Sequence, residues 1–323
     1  CTHIVDIDYG KVKLYVGNYE FWYESSQLVQ RMIRDQNRKN EEKIKELQTF
    51  IQRFSANKSK SRQATSRRKL IDKLTVEEMP ASSRRYPWVG FTMDREAGKD
   101  ILEVSGISKT VNGEKLLNNV SFIVKKGDKI GFIAENERAA TCLFQILMGE
   151  LEPDEGTFKW GVSTSQSYFP KDNNAFFEGH TENMLDWLAP YSRTDTLEST
   201  LRGFLGRMLF SGNDVYKPVN VLSGGEKVRM MLSRMMLFGS NVLVIDQPTN
   251  HLDLESIQAF NNNLKTYRGN ILFSSHDHEF IQTVANRIIE LTPNGIIDKM
   301  MEYDEYITSD HIKELRAKMY GDK

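Results

Sequence analysis

Residues 222–253 read LSGGEKVRMMLSRMMLFGSNVLVIDQPTNHLD, and this stretch decides the fold class. Ser223 can cap a helix predicted over Lys227–Phe238, and the two glycines between them let backbone amides approach a ligand. A helix N-terminus carries a partial positive charge, so the pattern indicates a phosphate site. An isolated Ser-Gly-Gly sequence, however, is more often a helix cap that follows a flexible loop.

The segments that follow favour the phosphate interpretation. The apolar strand Val242–Ile245 ends in Asp246, and phosphate-transfer ATPases hold Mg²⁺ with an aspartate in that position. A second apolar strand, Asn270–Ser274, is followed by His276, which would lie beside Asp246 in a parallel sheet. A metal site formed by His276 and His278 is an alternative, which the lack of a neighbouring Cys or carboxylate cluster disfavours.

From residue 101 onward, short β-branched segments alternate with helical segments, which predicts an α/β domain with parallel pairing. The predicted strands are Ile101–Val104, Val120–Val124, Lys129–Ile133, Val242–Ile245, Asn270–Ser274 and Ile288–Leu291.

Composition and repetition bound the class of protein. The 323 residues carry a net charge of −1, and two cysteines are too few for a disulfide framework. No apolar run has the length of a membrane span, so we expect a cytoplasmic protein. Residues 2–22 resemble residues 286–306 in pattern: a strand, a glycine turn, a strand and then aromatic and acidic residues. We therefore expect a fragment of a longer protein that contains a preceding copy of the domain.

A basic segment precedes the α/β domain. Residues 31–85 hold 16 Lys and Arg against 7 Asp and Glu, and their apolar residues recur at helical spacing. The spacing predicts two helices joined by a turn near residues 55–61. Clustered cations at the tip bind phosphate backbones, although a solvated pair of charged helices is an equally ordinary explanation. The candidate RNA-binding residues are Lys58, Lys60, Arg62, Arg67, Arg68 and Lys69.

The order LSGGE, LVIDQPTNHLD and SSHD resembles the ABC ATPase family. The TNHLD ending and the paired helices resemble its ABC-F branch, soluble tandem-cassette proteins of which many act on the ribosome. The resemblance implies an α/β, ABC-type nucleotide-binding domain: a P-loop NTPase core sheet with antiparallel β and helical subdomains, preceded by a helical hairpin arm. It divides the chain into a remnant of a preceding cassette (1–22), a basic linker (23–88), an ATP-binding cassette (89–305) and a C-terminal helix (306–323).

The same resemblance implies ATP and Mg²⁺ as cofactors. Ser223, Gly224 and Gly225 would bind the γ-phosphate of a nucleotide held by the opposite cassette. Asp246 would support Mg²⁺, and His276 would contact the γ-phosphate, while Asp253 would lie at the cassette interface. The implied partners are ribosomal RNA and tRNA and the first cassette of the same protein, with a head-to-tail homodimer of the fragment as an alternative.

The expected phosphate loop departs from the family pattern G-x-x-G-x-G-K-[ST]. Its glycine positions hold Ala134, Glu137 and Ala139, and its lysine position holds Ala140, while the Mg²⁺-binding hydroxyl of Thr141 is kept. Glycines allow close approach of the backbone to phosphates, and the lysine supplies a positive charge. The candidate nucleotide-binding residues are Ala134, Glu135, Asn136, Glu137, Arg138, Ala139, Ala140, Thr141, Cys142, Lys171, Ser223, Gly224, Gly225 and Glu226.

Three further departures weaken the site. Gln247 stands where the family has the glutamate that activates water, and an amide cannot accept the proton. Lys171 stands where a glutamine normally senses the γ-phosphate, and Val111 replaces the aromatic residue that stacks on adenine. Cys142, in the first turn of a helix, is either a reactive thiol or a small packed residue. We therefore expect an ABC-type ATP hydrolase by resemblance whose site in this chain is nearly inactive.

Three functions are consistent with such a cassette. The first is an ABC-F factor acting on the ribosome in translation. The second is the ATP-binding subunit of a membrane transporter, which needs neither the repeat at residues 2–22 nor the basic arm. The third, an ATPase of DNA repair or chromosome structure, predicts a longer coiled coil or zinc-binding cysteines. The first function accounts for the most features.

Overall fold

The structure is a computed structural model that describes residues 1–8, 10–54, 66, 68–71, 74, 85–193 and 197–321. The chain forms two compact units, Cys1–Arg85 and Tyr86–Lys323. Over the described residues, no helix is both long and apolar enough to cross a bilayer.

The first unit is a two-stranded antiparallel sheet followed by a long helix. Strands β1 (His3–Asp8) and β2 (Lys11–Val16) pair with each other, and helix α1 spans Tyr19–Phe54. Trp22, which is 3% exposed, fastens the helix to the sheet because its indole nitrogen donates to Asp6 at 3.3 Å. The first of the two predicted helices is confirmed, whereas the turn predicted near residues 55–61 lies outside the described residues. In the basic tip, Lys58, Lys60, Arg62 and Arg67 lie outside the described residues, and Arg68 and Lys69 are exposed.

The second unit opens with a three-stranded antiparallel sheet. Strands β3 (Asp100–Val111) and β4 (Glu114–Lys125) form a hairpin, and β6 (Glu155–Trp160) pairs with the other edge of β3. The expectation from the strand pattern, that these strands alternate with helices and pair in parallel, is wrong for β3 and β4. The antiparallel β subdomain implied by the resemblance to ABC ATPases is confirmed. Asn112 and Gly113 have φ values of 53° and 81°, a two-residue hairpin turn that sends the chain straight back.

A six-stranded sheet forms the centre of this unit. Its order is β11-β10-β5-β9-β8-β7, and all neighbours are parallel except the edge pair β10–β11. The strands are β5 (Lys129–Ala134), β7 (Gln166–Phe169), β8 (Val242–Asp246), β9 (Asn270–Ser274), β10 (Arg287–Thr292) and β11 (Gly295–Lys299). The carboxyl ends of β5, β8 and β9 therefore lie side by side, where open α/β sheets bind ligands.

Helices cover this sheet and enclose its apolar strands. They are α2 (Arg138–Leu147), α3 (Met184–Leu188), α4 (Glu198–Arg207), α5 (Gly224–Phe238), α6 (Leu254–Thr266), α7 (His278–Val284), α8 (Tyr303–Thr308) and α9 (Asp310–Tyr320). Helix α2 follows β5 directly and buries Leu143, Phe144 and Ile146 completely. This burial holds α2 against the sheet. The candidate phosphate loop, which joins β5 to α2, therefore lies at the carboxyl end of β5.

Two buried charges connect distant parts of the second unit. Arg287, at the start of β10, is 8% exposed and donates to Asp128 at 2.7 Å and to both carboxylate oxygens of Asp298. Its Nη1 also donates to the carbonyl of Ile123 at 2.8 Å. Each of these groups comes from a different turn or strand, so one guanidinium holds the hairpin β3–β4 to the central sheet.

The second buried charge is Glu290, which is 1% exposed in β10. It accepts hydrogen bonds from the Tyr306 hydroxyl at 2.6 Å, the Tyr320 hydroxyl at 2.8 Å and Arg316 Nε at 2.9 Å. These three donors belong to α8 and α9, so the end of the chain is fastened to the central sheet by a fully satisfied carboxylate.

Candidate nucleotide site

A cavity of about 200 Å³ lies at the carboxyl ends of β5 and β9. The cavity is bounded by loop, strand-end and helix residues: Phe132, Ile133, Ala134, Glu135, Glu137, Ala140, Gln247, Ser274, Ser275, His276, Ile281, Glu290, Tyr303 and Arg316. The fold thus brings together the candidate phosphate loop, the candidate base position and the candidate phosphate-sensing histidine. Tyr303 and Arg316 were not predicted as site residues, because only the folded C-terminal helices bring them to this cavity.

Asp246 and Thr141, the two candidate Mg²⁺ residues, are in direct contact. Thr141 Oγ1 donates to Asp246 Oδ2 at 2.6 Å, and the hydroxyl of Ser274 donates to the other carboxylate oxygen. Burial raises the pKa of Asp246, and the two hydroxyl donors and the charge of Lys171 oppose that rise. A hydroxyl and a carboxylate oxygen are the donors that Mg²⁺ prefers, so this pair fits the ion. Ser274 was not predicted as a site residue, although its position at the end of the predicted strand Asn270–Ser274 places it beside Asp246.

The candidate phosphate loop lacks the cation expected of it and carries a carboxylate instead. Ala140 is 3% exposed and offers a methyl group where a cation would be needed. Glu137 places a carboxylate in the middle of the loop, where it accepts from Lys171 Nζ at 2.8 Å and from His276 Nε2 at 2.9 Å. Hydrogen bonds from His276 and Lys171 hold the pKa of Glu137 below its ordinary value. A negative group therefore lies among the residues expected to bind phosphate.

A second ionic contact orders the same loop. Glu114, at the start of β4, accepts from Asn136 Nδ2 at 2.6 Å and from Arg138 Nη1 at 2.7 Å. Arg138, the cation nearest in sequence to Glu137, is therefore paired with another carboxylate. Val111 ends β3 at the hairpin turn just before Glu114 and is partly buried.

Gln247 has a strained backbone and an unsatisfied side chain. Its φ is 51°, in the left-handed region that non-glycine residues seldom adopt, and its amide nitrogen donates to the carbonyl of Ser274 at 3.1 Å. The side chain is 6% exposed, and its Oε1 has no hydrogen-bond partner within the described part of the chain. Buried acceptors are normally paired, so this oxygen marks a place for a donor such as a bound water molecule.

The predicted cap at Ser223 is confirmed, and helix α5, which we call the signature helix, begins at Gly224, three residues before the predicted start at Lys227. Ser223 caps α5: its hydroxyl accepts from the amide of Glu226, and the Glu226 carboxylate accepts from the amide of Ser223 at 2.8 Å. Ser223 and Gly224 are exposed, and the residues that line the cavity come from elsewhere. Asp253 caps α6 by accepting from the amide of Ser256 at 2.7 Å. The LSGGE amides are thus preorganised at the surface, outside the cavity of their own domain.

The two histidines of the H-x-H sequence have different partners. His276 contacts Glu137, whereas His278 Nε2 lies 2.9 Å from a carboxylate oxygen of Asp304 at the start of α8. No group of three or more His, Cys, Asp and Glu side chains that could hold a metal occurs among the residues that the structure describes.

We expect a thiol reagent to modify Cys1 and to leave Cys142 unmodified while the protein is folded. Cys1 is exposed, whereas Cys142 is 3% exposed and burial raises its thiol pKa to about 11. At about pH 8, roughly one Cys142 thiol in a thousand would be ionised, and the thiolate is the reactive species. Peptide mass spectrometry after iodoacetamide treatment measures both sites. In the variant Cys1→Ser, the remaining thiol of Cys142 should be labelled only after unfolding in urea. Labelling of Cys142 in the folded protein as fast as labelling of Cys1 would contradict the expectation.

The sequence of this chain is similar to known ATP-binding proteins. Two family models described as ABC transporter match residues 5–89 and 117–250. The chain is 59% identical over 322 residues to the uncharacterized ABC transporter ATP-binding protein YkpA of Bacillus subtilis, covering all of this chain and 60% of that protein. It is 28% identical over 314 residues to the energy-dependent translational throttle protein EttA of Escherichia coli, covering 94% of this chain and 55% of EttA. The chain thus spans a little over half the length of these relatives.

A solved structure shares the fold of the second unit. An ATP-binding cassette, solved as a dimer in a post-hydrolysis state with ADP and Pi, matches with a TM-score of 0.52 at 16% identity. The match covers 62% of this chain and 99% of the cassette. The α/β architecture, the strand-end cavity and the two family matches agree with one another, and the chain therefore contains an ATP-binding domain of the ABC transporter type.

Proposed function

We propose that this chain is the linker and second cassette of an ABC-F type ATPase that acts on the ribosome in translation. Its own nucleotide site is impaired, and its signature helix completes the site of a partner cassette. In this proposal residues 1–22 belong to the preceding cassette, 23–88 form the basic linker, 89–305 form the cassette and 306–323 form the C-terminal helix.

The proposal is carried by a contrast between two helix N-termini of one domain. Before α2, the loop that should hold phosphates contains the carboxylate of Glu137 and lacks a cation at Ala140. The capped N-terminus of α5, by contrast, exposes Ser223 and Gly224, a geometry suited to binding an anion. A domain with this contrast is suited to supply an anion-binding helix to another nucleotide site.

Support for the ribosome as partner comes from similarity and charge. EttA, a protein named as a translational throttle, matches over nearly the whole of this chain. The six Lys and Arg among residues 58–69, with no Asp or Glu beside them, are the composition expected of a segment that contacts RNA backbones. A role in a transporter has no comparable use for this segment. We infer ATP and Mg²⁺ as cofactors of the complete protein, and Thr141 and Asp246 as the Mg²⁺ residues on this side.

Ribosome binding with and without the basic tip tests this proposal. We expect affinity for ribosomes to fall on the order of a hundredfold between about 50 and about 200 mM salt, because bound cations release counterions from RNA. Neutralising Lys58, Lys60, Arg62, Arg67 and Arg68 to Gln should weaken binding and flatten the salt dependence, as measured by co-sedimentation with ribosomes.

A matched control carries the same number of neutralised charges on α1. Arg31, Arg34, Arg38, Lys39 and Lys43 are all exposed on that helix, and replacing these five by Gln changes the net charge by the same amount. We expect this control to retain most of the affinity. Binding that ignores salt, or an equal loss in both variants, would contradict an RNA-binding role for the tip.

A further inference from the structure

Glu137 lies where an α/β domain of this kind normally binds an anion from outside. It directly precedes α2, at the carboxyl end of β5, and its side chain borders the 200 Å³ cavity. Helix N-termini and the carboxyl ends of parallel strands are the places where phosphate groups bind in such folds. In this chain the carboxylate of Glu137 supplies a negative charge at the position where a phosphate group would bind.

Two donors from different strands converge on this carboxylate. Lys171 follows β7 and contacts Glu137 Oε1 at 2.8 Å, while His276 follows β9 and its Nε2 donates to Oε2 at 2.9 Å. Each carboxylate oxygen thus has its own donor. The three residues are separated by many positions in the sequence, so the contact depends on the folded sheet and is not a local pairing along one helix.

The contact is accessible to solvent. The side chains are 44% exposed for Glu137, 34% for Lys171 and 66% for His276. Ion pairs of this exposure contribute little free energy because water and salt screen them. A competing anion can therefore displace the carboxylate, so the contact weakens phosphate binding without blocking it. A glutamate is already ionised at neutral pH, and the hydrogen bonds from His276 and Lys171 lower the pKa of Glu137 further.

We propose that Glu137 acts as a built-in anion that occupies Lys171 and His276 in place of the terminal phosphate of a nucleotide. Glu137 thus determines how strongly the site binds phosphate, because its carboxylate competes with phosphate for Lys171 and His276. In the absence of nucleotide, the same carboxylate neutralises the charge of Lys171. This inference rests on the proposed function, in which the nucleotide site of this chain is impaired, and it assigns part of that impairment to one carboxylate.

Calorimetric titration with inorganic tripolyphosphate and Mg²⁺ tests the inference without relying on adenine recognition. The variant Glu137→Gln keeps the size of the side chain and removes its charge. We expect it to bind tripolyphosphate about tenfold more tightly than the unmodified chain, since two exposed ion pairs no longer compete. Removing the cation as well, in E137Q with Lys171→Met, should abolish this gain. Thermal unfolding of each variant verifies that it is folded.

The control Glu152→Gln removes the same charge from an exposed position after α2 that does not border this cavity. We expect E152Q to gain no more than about twofold, the effect of one screened charge. Equal affinities of E137Q and E152Q, or a gain that survives Lys171→Met, would overturn the inference. Rapid ATP turnover by the unmodified chain would instead contradict the proposed function.

Discussion

Phosphate release from Mg·ATP in the presence of this chain is expected to stay at the rate of buffer alone, and Gln247→Glu by itself should not raise it. A general base contributes roughly 10²–10⁴ in rate, but only when a bound nucleotide presents its terminal phosphate to water. The loop offers a methyl group at Ala140 and a carboxylate at Glu137, so the nucleotide is held poorly before any base can act. A coupled assay for released phosphate measures both chains.

Restoring one glycine, the lysine and the glutamate together should raise phosphate release. The combination Glu137→Gly, Ala140→Lys and Gln247→Glu returns the backbone approach, the cation and the base, and we expect a rise on the order of 10² or more. If two copies pair head-to-tail, the rate depends on protein concentration and is lost on adding Ser223→Arg, which fills the anion site of α5. Turnover by the unmodified chain at the rate of a working cassette would contradict the expectation.

The variant Arg287→Met is expected to lower the free energy of unfolding by about 3–5 kcal/mol, the usual cost of removing one partner from a buried ion pair. The side chain of Asp128 is 7% exposed, so without Arg287 its charge would be buried without a guanidinium partner. The bidentate contact between Arg287 and Asp298 would also be lost. Urea unfolding followed by tryptophan fluorescence measures the change, because Trp88, Trp160 and Trp187 all lie in the second unit.

An exposed ion pair provides the control for that measurement. Lys126 contacts Glu96 at 2.7 Å, but the two side chains are 52% and 68% exposed. Lys126→Met should leave the unfolding midpoint unchanged, since water solvates the remaining carboxylate. An Arg287→Met chain as stable as this control would mean that the network around β10 contributes nothing to stability.

Local features of the second unit were predictable because their causes are local. The cap of Ser223 on α5 and the Mg²⁺-type pair of Thr141 and Asp246 follow from side chains a few residues from a helix start or at a strand end. The parallel strands β8 and β9 are continuous apolar runs, as expected of strands buried on both faces.

Contacts between distant segments were not predictable. Lys171 and Glu137 each depart from the family pattern on their own, and no pattern in the sequence pairs them across 34 positions. Their contact arises because β7, β8, β9 and β5 are ordered in the sheet differently from their order in the chain. The antiparallel pairing of β3 and β4 was a different case, because it has a local cause: the dipeptide Asn112-Gly113 is a hairpin signal.

The way Glu290 is satisfied decides how this chain can be shortened or fused. A cut before Tyr303 would remove all three donors and leave a carboxylate that is 1% exposed without a partner, which is costly in a protein interior. It would also remove Tyr303 and Arg316, which line the nucleotide cavity. Tags and reporter domains should therefore be attached after Tyr320, and a cassette expressed alone needs both C-terminal helices to keep its binding site intact.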